Sequence, residues 1–432
     1  MLDKEQKAAV EAKENKVIVV AGAGSGKTRV ITERIKYLLD NGANPANIVC
    51  ITFTNMAADE MIERLQGVRG IGDAFIGTIH SFANKVLKCS DSVEHFEIFN
   101  NEHNVKFHKY LINKYCKHLI FDRWLEYMKI KEDELCGKKQ EGEADRFLTV
   151  AERAELMFIE RNHNDIAPGD DFPKSVDSLC KAQNILTFDE LLQRAVKYFD
   201  SHNIYPEYVL VDELQDIGCL EYSFIKSLRA KNYFFVGDDW QSIYSFKGGN
   251  VGIFKGLVED KNWATYWLTN NYRNSKNVLK MAGHIIEQVS NKLEKKITPK
   301  NKSYGAAIVE TKGAIDNMLA ALAKDEKNFE SWFFLVRTNR QVFELMEKCR
   351  AYRVPALTFK REGMSLEAMR GLLKSNAVKI LTVHASKGLE ADNVLLYGNF
   401  PVEQPPYIRN EEERKVMYVG VTRARENLII LN

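Results

Sequence analysis

The chain has 432 residues, 45% hydrophobic and 28% charged, which is room for two or three domains of ordinary soluble composition and excludes disorder as a whole-chain description. A formal net charge of +2 supplies no global basic field, so any nucleic-acid contact must come from a local groove. No apolar run reaches the roughly 20 residues of a membrane span, and the opening MLDKEQKAAV lacks a signal peptide's layout, so a cytoplasmic protein without a membrane partner is expected.

In chain order, the first strong element is the apolar run 17–21, followed by Ala21 to Thr28, AGAGSGKT, and then a helical pattern. We read this stretch as a GxxxxGK[ST] phosphate-binding loop, because strand, glycine-rich turn and helix N-terminus together aim backbone N–H groups at phosphates. Lys27 would reach the β and γ phosphates and Thr28 would hold Mg²⁺. Further buried runs at 47–54 and 75–79 predict strands, and 208–213 and 233–238 continue the set. Between them, residues 84–186 carry no strand signal, only mixed-charge helical patterns at 102–119 and 151–161, which predicts an inserted helical subdomain. Val209-Leu210-Val211 ends in Asp212 and Glu213, a metal-coordinating carboxylate followed by a base that polarises a hydrolytic water. A second strand set, 306–311, 332–338, 378–384, 393–398 and 427–431, predicts a second α/β domain without a phosphate loop. The only proline pair is Pro405-Pro406, and no repeat or low-complexity linker occurs. The seven cysteines, Cys50, Cys89, Cys116, Cys136, Cys180, Cys219 and Cys349, form no CxxC and predict reduced packing residues.

Five stretches carry a specific resemblance: Asp212-Glu213-Leu214-Gln215-Asp216, Gly237 to Tyr244, Asn271-Tyr272-Arg273, Thr382 to Glu390, and Tyr418 to Arg425. In this order they resemble the motif series of UvrD/Rep-type superfamily 1 DNA helicases. Leu2 to Gln6, Thr52 to Asn55 and Gly77 to Phe82 resemble that family's remaining motifs. The resemblance implies two RecA-like P-loop domains with parallel sheets, the first being 1–83 with 187–272, the second 273–432, and 84–186 an insertion in the first. It implies that Gln6 recognises adenine, Tyr272 stacks on it, Gln241 senses the γ-phosphate and Glu390 reaches the nucleotide across the cleft. Ala21, Gly22, Ala23, Gly24, Ser25, Gly26, Lys27, Thr28 and Arg29 would hold the nucleotide, and Thr28 and Asp212 the metal. Glu213, Lys27 and Gln241 would act in catalysis with Arg273 and Arg423 as arginine fingers, since guanidinium groups from a second domain stabilise γ-phosphoryl charge only when the cleft closes. Phe53, Asn55, His80, Tyr244, Phe246 and His384 would contact single-stranded DNA, the aromatics by stacking that tolerates any sequence.

The chain departs from the family pattern at Phe246-Lys247, where a tryptophan and arginine are usual, at Met56 for lysine, at Trp240 for an acidic or small residue, and at Ala391 for an aromatic. The roughly 110 residues from Arg273 to Thr382 leave no room for the family's 2B insertion, and the end at Asn432 suggests a chain without the family's C-terminal docking tail. The expectation is an ATP- and Mg²⁺-dependent monomeric motor moving 3′ to 5′ on single-stranded DNA and opening junctions with duplex, aided by a loading or clamp protein, in repair, recombination or replication. The alternatives are an RNA-directed superfamily 1 helicase and a nucleotide-switched binding protein that recruits partners without unwinding.

Overall fold

The computed structural model describes residues 2–88, 96–98, 118–135, 147–149, 152–153, 156, 185–202, 205–245, 248–310, 314–324, 328–359, 364–398 and 411–431. Phe246, Lys247, Cys89, Cys116, Cys136, Cys180, the Pro405-Pro406 pair and most of 84–186 lie outside these residues. In chain order the strands are β1 Lys16–Ala21, β2 Ile48–Thr52, β3 Phe75–Thr78, β4 Glu97–Ile98, β5 Ile185–Leu186, β6 Tyr208–Val211, β7 Asn232–Gly237 and β8 Ala264–Leu268. They continue with β9 Asn270–Asn271, β10 Thr298–Pro299, β11 Ala306–Glu310, β12 Trp332–Val336, β13 Ala356–Leu357, β14 Val378–Thr382, β15 Ala391–Tyr397 and β16 Ala424–Leu431.

The chain divides into two compact units, Met1–Phe82 with Val196–Asn432, and Ala83–Ala195. The first unit holds two six-stranded sheets, ordered β3-β2-β6-β7-β1-β8 and β11-β16-β15-β12-β14-β13, and every pairing in them is parallel. The α/β architecture expected from continuous apolar runs is therefore borne out. Val17 to Ala21 are fully buried because both faces of a central parallel strand are covered. The half-exposed edge strand β8, Ala-Thr-Tyr-Trp-Leu, escaped the sequence reading because it offers no continuous apolar run.

Alternation along β12 splits the second sheet's core. Phe333 and Leu335 pack on one face with Leu381, Val383 and Val394, while Phe334 and Val336 pack on the other with Ile380 and Leu395. The first of these clusters also contains Ala23, Met56, Trp240 and Ile243, so one apolar core runs from the second sheet to the loops at the carboxyl ends of the first. Met56 and Trp240 are buried packing residues, and the Trp240 indole N–H donates to the Leu293 carbonyl at 2.9 Å.

In the other unit, helix Phe121–Leu135 carries Arg123, whose guanidinium meets the Glu152 carboxylate at 2.6 Å. The expectation of no strand there is corrected by a short parallel pair, β4 with β5, whose two-residue length falls below any periodicity signal. Cys50 and Cys349 are buried as expected, whereas Cys219 is exposed at the start of helix Cys219–Ser227. Among the described residues no helix is long and apolar enough to cross a membrane.

Candidate functional site

The carboxyl ends of β1, β6 and β7 meet at one edge of the first sheet, where parallel α/β sheets bind ligands. Ala21 ends β1 and is fully buried, so the loop departs from GxxxxGK[ST] at its first position, where alanine stands for glycine. Gly24 and Gly26 take φ of +63° and +87°, which favour glycine, and Gly26 leads into helix Lys27–Asp40. A Cβ at Gly24 would lie 2.7 Å from the Arg273 Cβ, and one at Gly26 would lie 2.8 Å from the Gln6 amide nitrogen. These glycines let neighbouring segments close onto the loop. The Gln6 amide donates to the Ser25 carbonyl at 2.9 Å, and Asp3 caps the helix that carries Gln6. Tyr272 is half-exposed beside Asp3, with which its hydroxyl hydrogen-bonds; burial and that bond push the phenol up to about 12. Arg29 is exposed, and Thr28 is the second residue of the helix.

Lys27 Nζ lies 2.9 Å from Glu213 Oε2. Burial alone would weaken the Lys27 ammonium, yet the charges of Glu213 and Asp238 hold its pKa above the ordinary value. Glu213 occupies the left-handed region at φ 52° and ψ 43°, a conformation that costs a non-glycine residue of order 1–3 kcal/mol and gathers at functional sites. Burial works against the ionised Glu213, but Lys27 and Lys387 outweigh it and hold its carboxyl down to about 2. Asp212 moves the opposite way, pushed up to about 7 by burial and the neighbouring Glu213 charge. Asp216 rises to about 6 through burial, partly offset by its ion pair with Lys387. Gln215 ties these acids together, donating to Glu213 and accepting from the Asp238 N–H at 2.9 Å.

The second sheet contributes cations to this edge. Arg423, 1% exposed, donates to the carbonyls of Val419 at 3.0 Å and Leu389 at 3.2 Å, and to Gln241 Oε1 at 3.2 Å. Burial and the nearby Arg273 lower its pKa to about 9. Arg273 pairs with Glu390, and Lys387 Nζ donates to the Gln241 carbonyl at 2.9 Å. Lys27, Asp212, Glu213, Gln241, Arg273, Glu390 and Arg423 are thus linked through hydrogen bonds and charge. Among the described residues no three acidic, histidine or cysteine side chains gather to hold a cation unaided. The oxygen donors of Asp212 and Thr28 suit Mg²⁺, which typically takes one or two protein ligands and completes its shell with phosphate oxygens and water.

A second group lies at neighbouring strand ends. The rings of Phe53, after β2, and Tyr244 stack with centroids 5.0 Å apart and an interplanar angle of 23°. The Tyr244 hydroxyl donates to the carbonyl of His384, after β14, at 3.2 Å, and Lys387 Nζ sits 4.9 Å from the Tyr244 ring centre. Tyr244 and Lys387 therefore touch both groups of residues. Asn55 and His80 stand in the first turns of the helices that follow β2 and β3.

Sequence reasoning missed Lys295. It lies in a run, Leu293-Glu294-Lys295-Lys296, that resembles a solvated surface, yet its ammonium is buried on Asp238 and Asp239 at 2.5 and 2.8 Å. No pattern in that run distinguishes it from a solvated one; in the structure the nearby Ile297 packs toward Gly22.

Residues 2–262 match the UvrD/REP helicase N-terminal domain, and residues 359–432 match the UvrD-like helicase C-terminal domain. The chain is 29% identical to a probable DNA helicase of Mycoplasma pneumoniae, over all of this chain and 83% of that protein. It is 31% identical to the ATP-dependent DNA helicase PcrA of Bacillus subtilis, over 68% of this chain and 41% of PcrA. With DNA helicase II of Escherichia coli it shares 29% identity over 68% of this chain and 42% of that protein. The chain therefore spans less than half of the latter two relatives.

Proposed function

This chain belongs to the UvrD/REP helicase family, and from that premise we propose that it is an ATP- and Mg²⁺-dependent motor that moves 3′ to 5′ on single-stranded DNA and opens duplex. The observation that carries the reading is the Arg423 to Gln241 hydrogen bond, in which a cation of the second sheet reaches a side chain of the first, beside Lys27 and Glu213. By their names PcrA is an ATP-dependent DNA helicase and the Escherichia coli relative a DNA helicase, which supports the DNA-directed, ATP-driven part of this reading.

On this reading Lys27 leaves Glu213 for the β and γ phosphates, and the freed, ionised Glu213 takes a proton from the attacking water. Arg273 and Arg423 stabilise the charge spread over the γ oxygens, with Gln241 reporting the phosphate to both. Mg²⁺ held by Thr28 and Asp212 would neutralise phosphate charge. Gln6 and Tyr272 hold adenine, while Arg29 and Glu390 border the nucleotide. Phe53, Asn55, His80, Tyr244, Phe246 and His384 form the DNA track, and the Tyr244–Lys387 contact ties it to the site of hydrolysis.

The first motor domain is assigned to 1–83 with 187–272 and the second to 273–432, without 2B, and 84–186 is an insertion. The protein acts as a cytoplasmic monomer on single strands and their junctions with duplex, in repair, recombination or replication. Unwinding of duplexes with a 3′ or a 5′ tail, with and without ATP, tests this. ATP-dependent opening of the 3′-tailed substrate is expected; a preference for 5′ tails overturns the polarity, and hydrolysis without any opening favours a nucleotide-switched recruiter.

A further inference from the structure

Lys295 uses all three of its ammonium donors on buried acceptors: Asp238 Oδ1 at 2.5 Å, Asp239 Oδ1 at 2.8 Å and the Ala21 carbonyl at 3.1 Å. Its side chain is 1% exposed, those of both aspartates are 0% exposed, and the ammonium sits 4.5 Å from the Trp240 ring centre. The same aspartates hold other groups. Asp238 Oδ2 accepts from the Gln241 amide at 2.6 Å, and Asp239 Oδ2 accepts from the Leu293 N–H at 2.7 Å. Gln241 thus has its NH₂ turned to Asp238 and its oxygen to Arg423. The segment carrying Lys295 is itself fixed, since β10 pairs with β9.

We infer that Lys295 is a positioning residue for ATP hydrolysis: by fixing Asp238 and gripping the root of the phosphate loop at Ala21, it sets the orientation in which Gln241 faces the γ-phosphate. The inference rests on the ATPase reading given above. A lysine that merely neutralised two buried acids would need neither the loop carbonyl nor an aspartate whose second oxygen orients Gln241. Removing one partner of a buried charge group leaves the others uncompensated, so the loss of Lys295 must be balanced in any test.

The test is a mutant cycle in the full chain. Wild type serves as the reference, Lys295→Met is combined with Asp239→Asn so that one positive and one negative charge leave together, and Asp239→Asn alone controls for the second change. With a folded variant, we expect affinity for a fluorescent ATP analogue within about threefold of the reference and single-turnover hydrolysis lower by about tenfold or more. Gln241→Ala should cost a similar factor, and combining it with the Lys295→Met change should add less than about threefold, because the two act as one unit. Hydrolysis within about threefold of the reference, or losses that multiply, would overturn the inference. If the balanced variant fails to fold, Lys295→Arg decides: its planar fork keeps the charge but cannot reproduce a three-point ammonium grip, so the same non-additive loss is expected and full activity overturns the inference. A wild-type protein without ATPase activity would instead remove the functional reading itself.

Discussion

The two sheets of the larger unit share parallel order but present opposite charge at the seam between them. The first ends in Asp212, Glu213, Asp216, Asp238 and Asp239, while the second delivers Lys387 after β14 and Arg423 before β16, with Arg273 and Lys295 arriving from the segment that joins the two. The turns differ too. After β1 the chain enters a helix through glycines at positive φ, whereas after β12 it enters helix Asn339–Ala351 through a Thr338–Gln341 capping box, in which the two side chains take up the N–H groups of Gln341 and Thr338. On the proposed reading the first sheet receives phosphate and the second supplies cations. Since a buried carboxylate without a partner costs several kcal/mol, Asp216 depends on Lys387 of the second sheet, and Asp238 and Asp239 on Lys295 of the joining segment, whereas Glu213 also has Lys27 of its own sheet.

The largest expected effect falls on the cation that crosses the seam. Arg423→Ala should cut DNA-stimulated ATP hydrolysis by about 10³–10⁵, and Arg423→Lys should not restore it because a point charge cannot replace the planar fork. Complete rescue by lysine, read in single-turnover hydrolysis, would reduce the contribution of the second sheet to charge alone. Next comes the acid side: Glu213→Gln should lose about 10²–10⁴ in turnover while still binding nucleotide, the usual worth of a general base. Near-normal turnover in that variant would move the base elsewhere.

A smaller effect is expected on the proposed DNA track, whose residues come from both sheets. Phe53→Ala and Tyr244→Ala should each weaken single-stranded DNA binding by about 1–3 kcal/mol, with little dependence on sequence, in fluorescence anisotropy titrations. Unchanged affinity in both would make their mutual stack a packing contact.

The last prediction concerns stability. The folded pKa of Asp212, about 7, lies above its unfolded value, so the folded chain binds the extra proton between roughly pH 4 and 7. The contribution of Asp212 to stability is fully present below the unfolded value and is lost as pH rises through the folded one. Asp212→Asn should therefore stabilise the nucleotide-free protein at pH 8 by about 1–3 kcal/mol, an advantage that vanishes below about pH 4. Urea midpoints across that range would contradict the assignment if the asparagine variant were weaker at pH 8.

What could be read from the sequence is what is local. Contiguous apolar runs located the strands of both sheets to within a few residues, because a strand buried on both faces must be apolar throughout, and β8 was lost because an edge strand need not be. The loop and the Asp212-Glu213 pair were legible because each chemistry demands its residue types in adjacent positions, whereas Arg273 and Arg423 were reached only through the motif series that contains them. The Lys295 grip on Asp238 and the Gln215 bridge from Glu213 to Asp238 were not. Each joins residues that are distant in sequence or silent in pattern, and a lysine beside another lysine looks the same whether buried or solvated. The left-handed backbone of Glu213 also leaves no trace in composition.

The most direct test of a site shared between the two sheets is steady-state ATP hydrolysis titrated with single-stranded DNA, for wild type and Lys27→Ala side by side. Hydrolysis should rise by at least about tenfold with DNA, a barrier lower by about 1.4 kcal/mol, and should be lost in Lys27→Ala. Hydrolysis that is the same with and without DNA, or that survives in Lys27→Ala, would contradict the account.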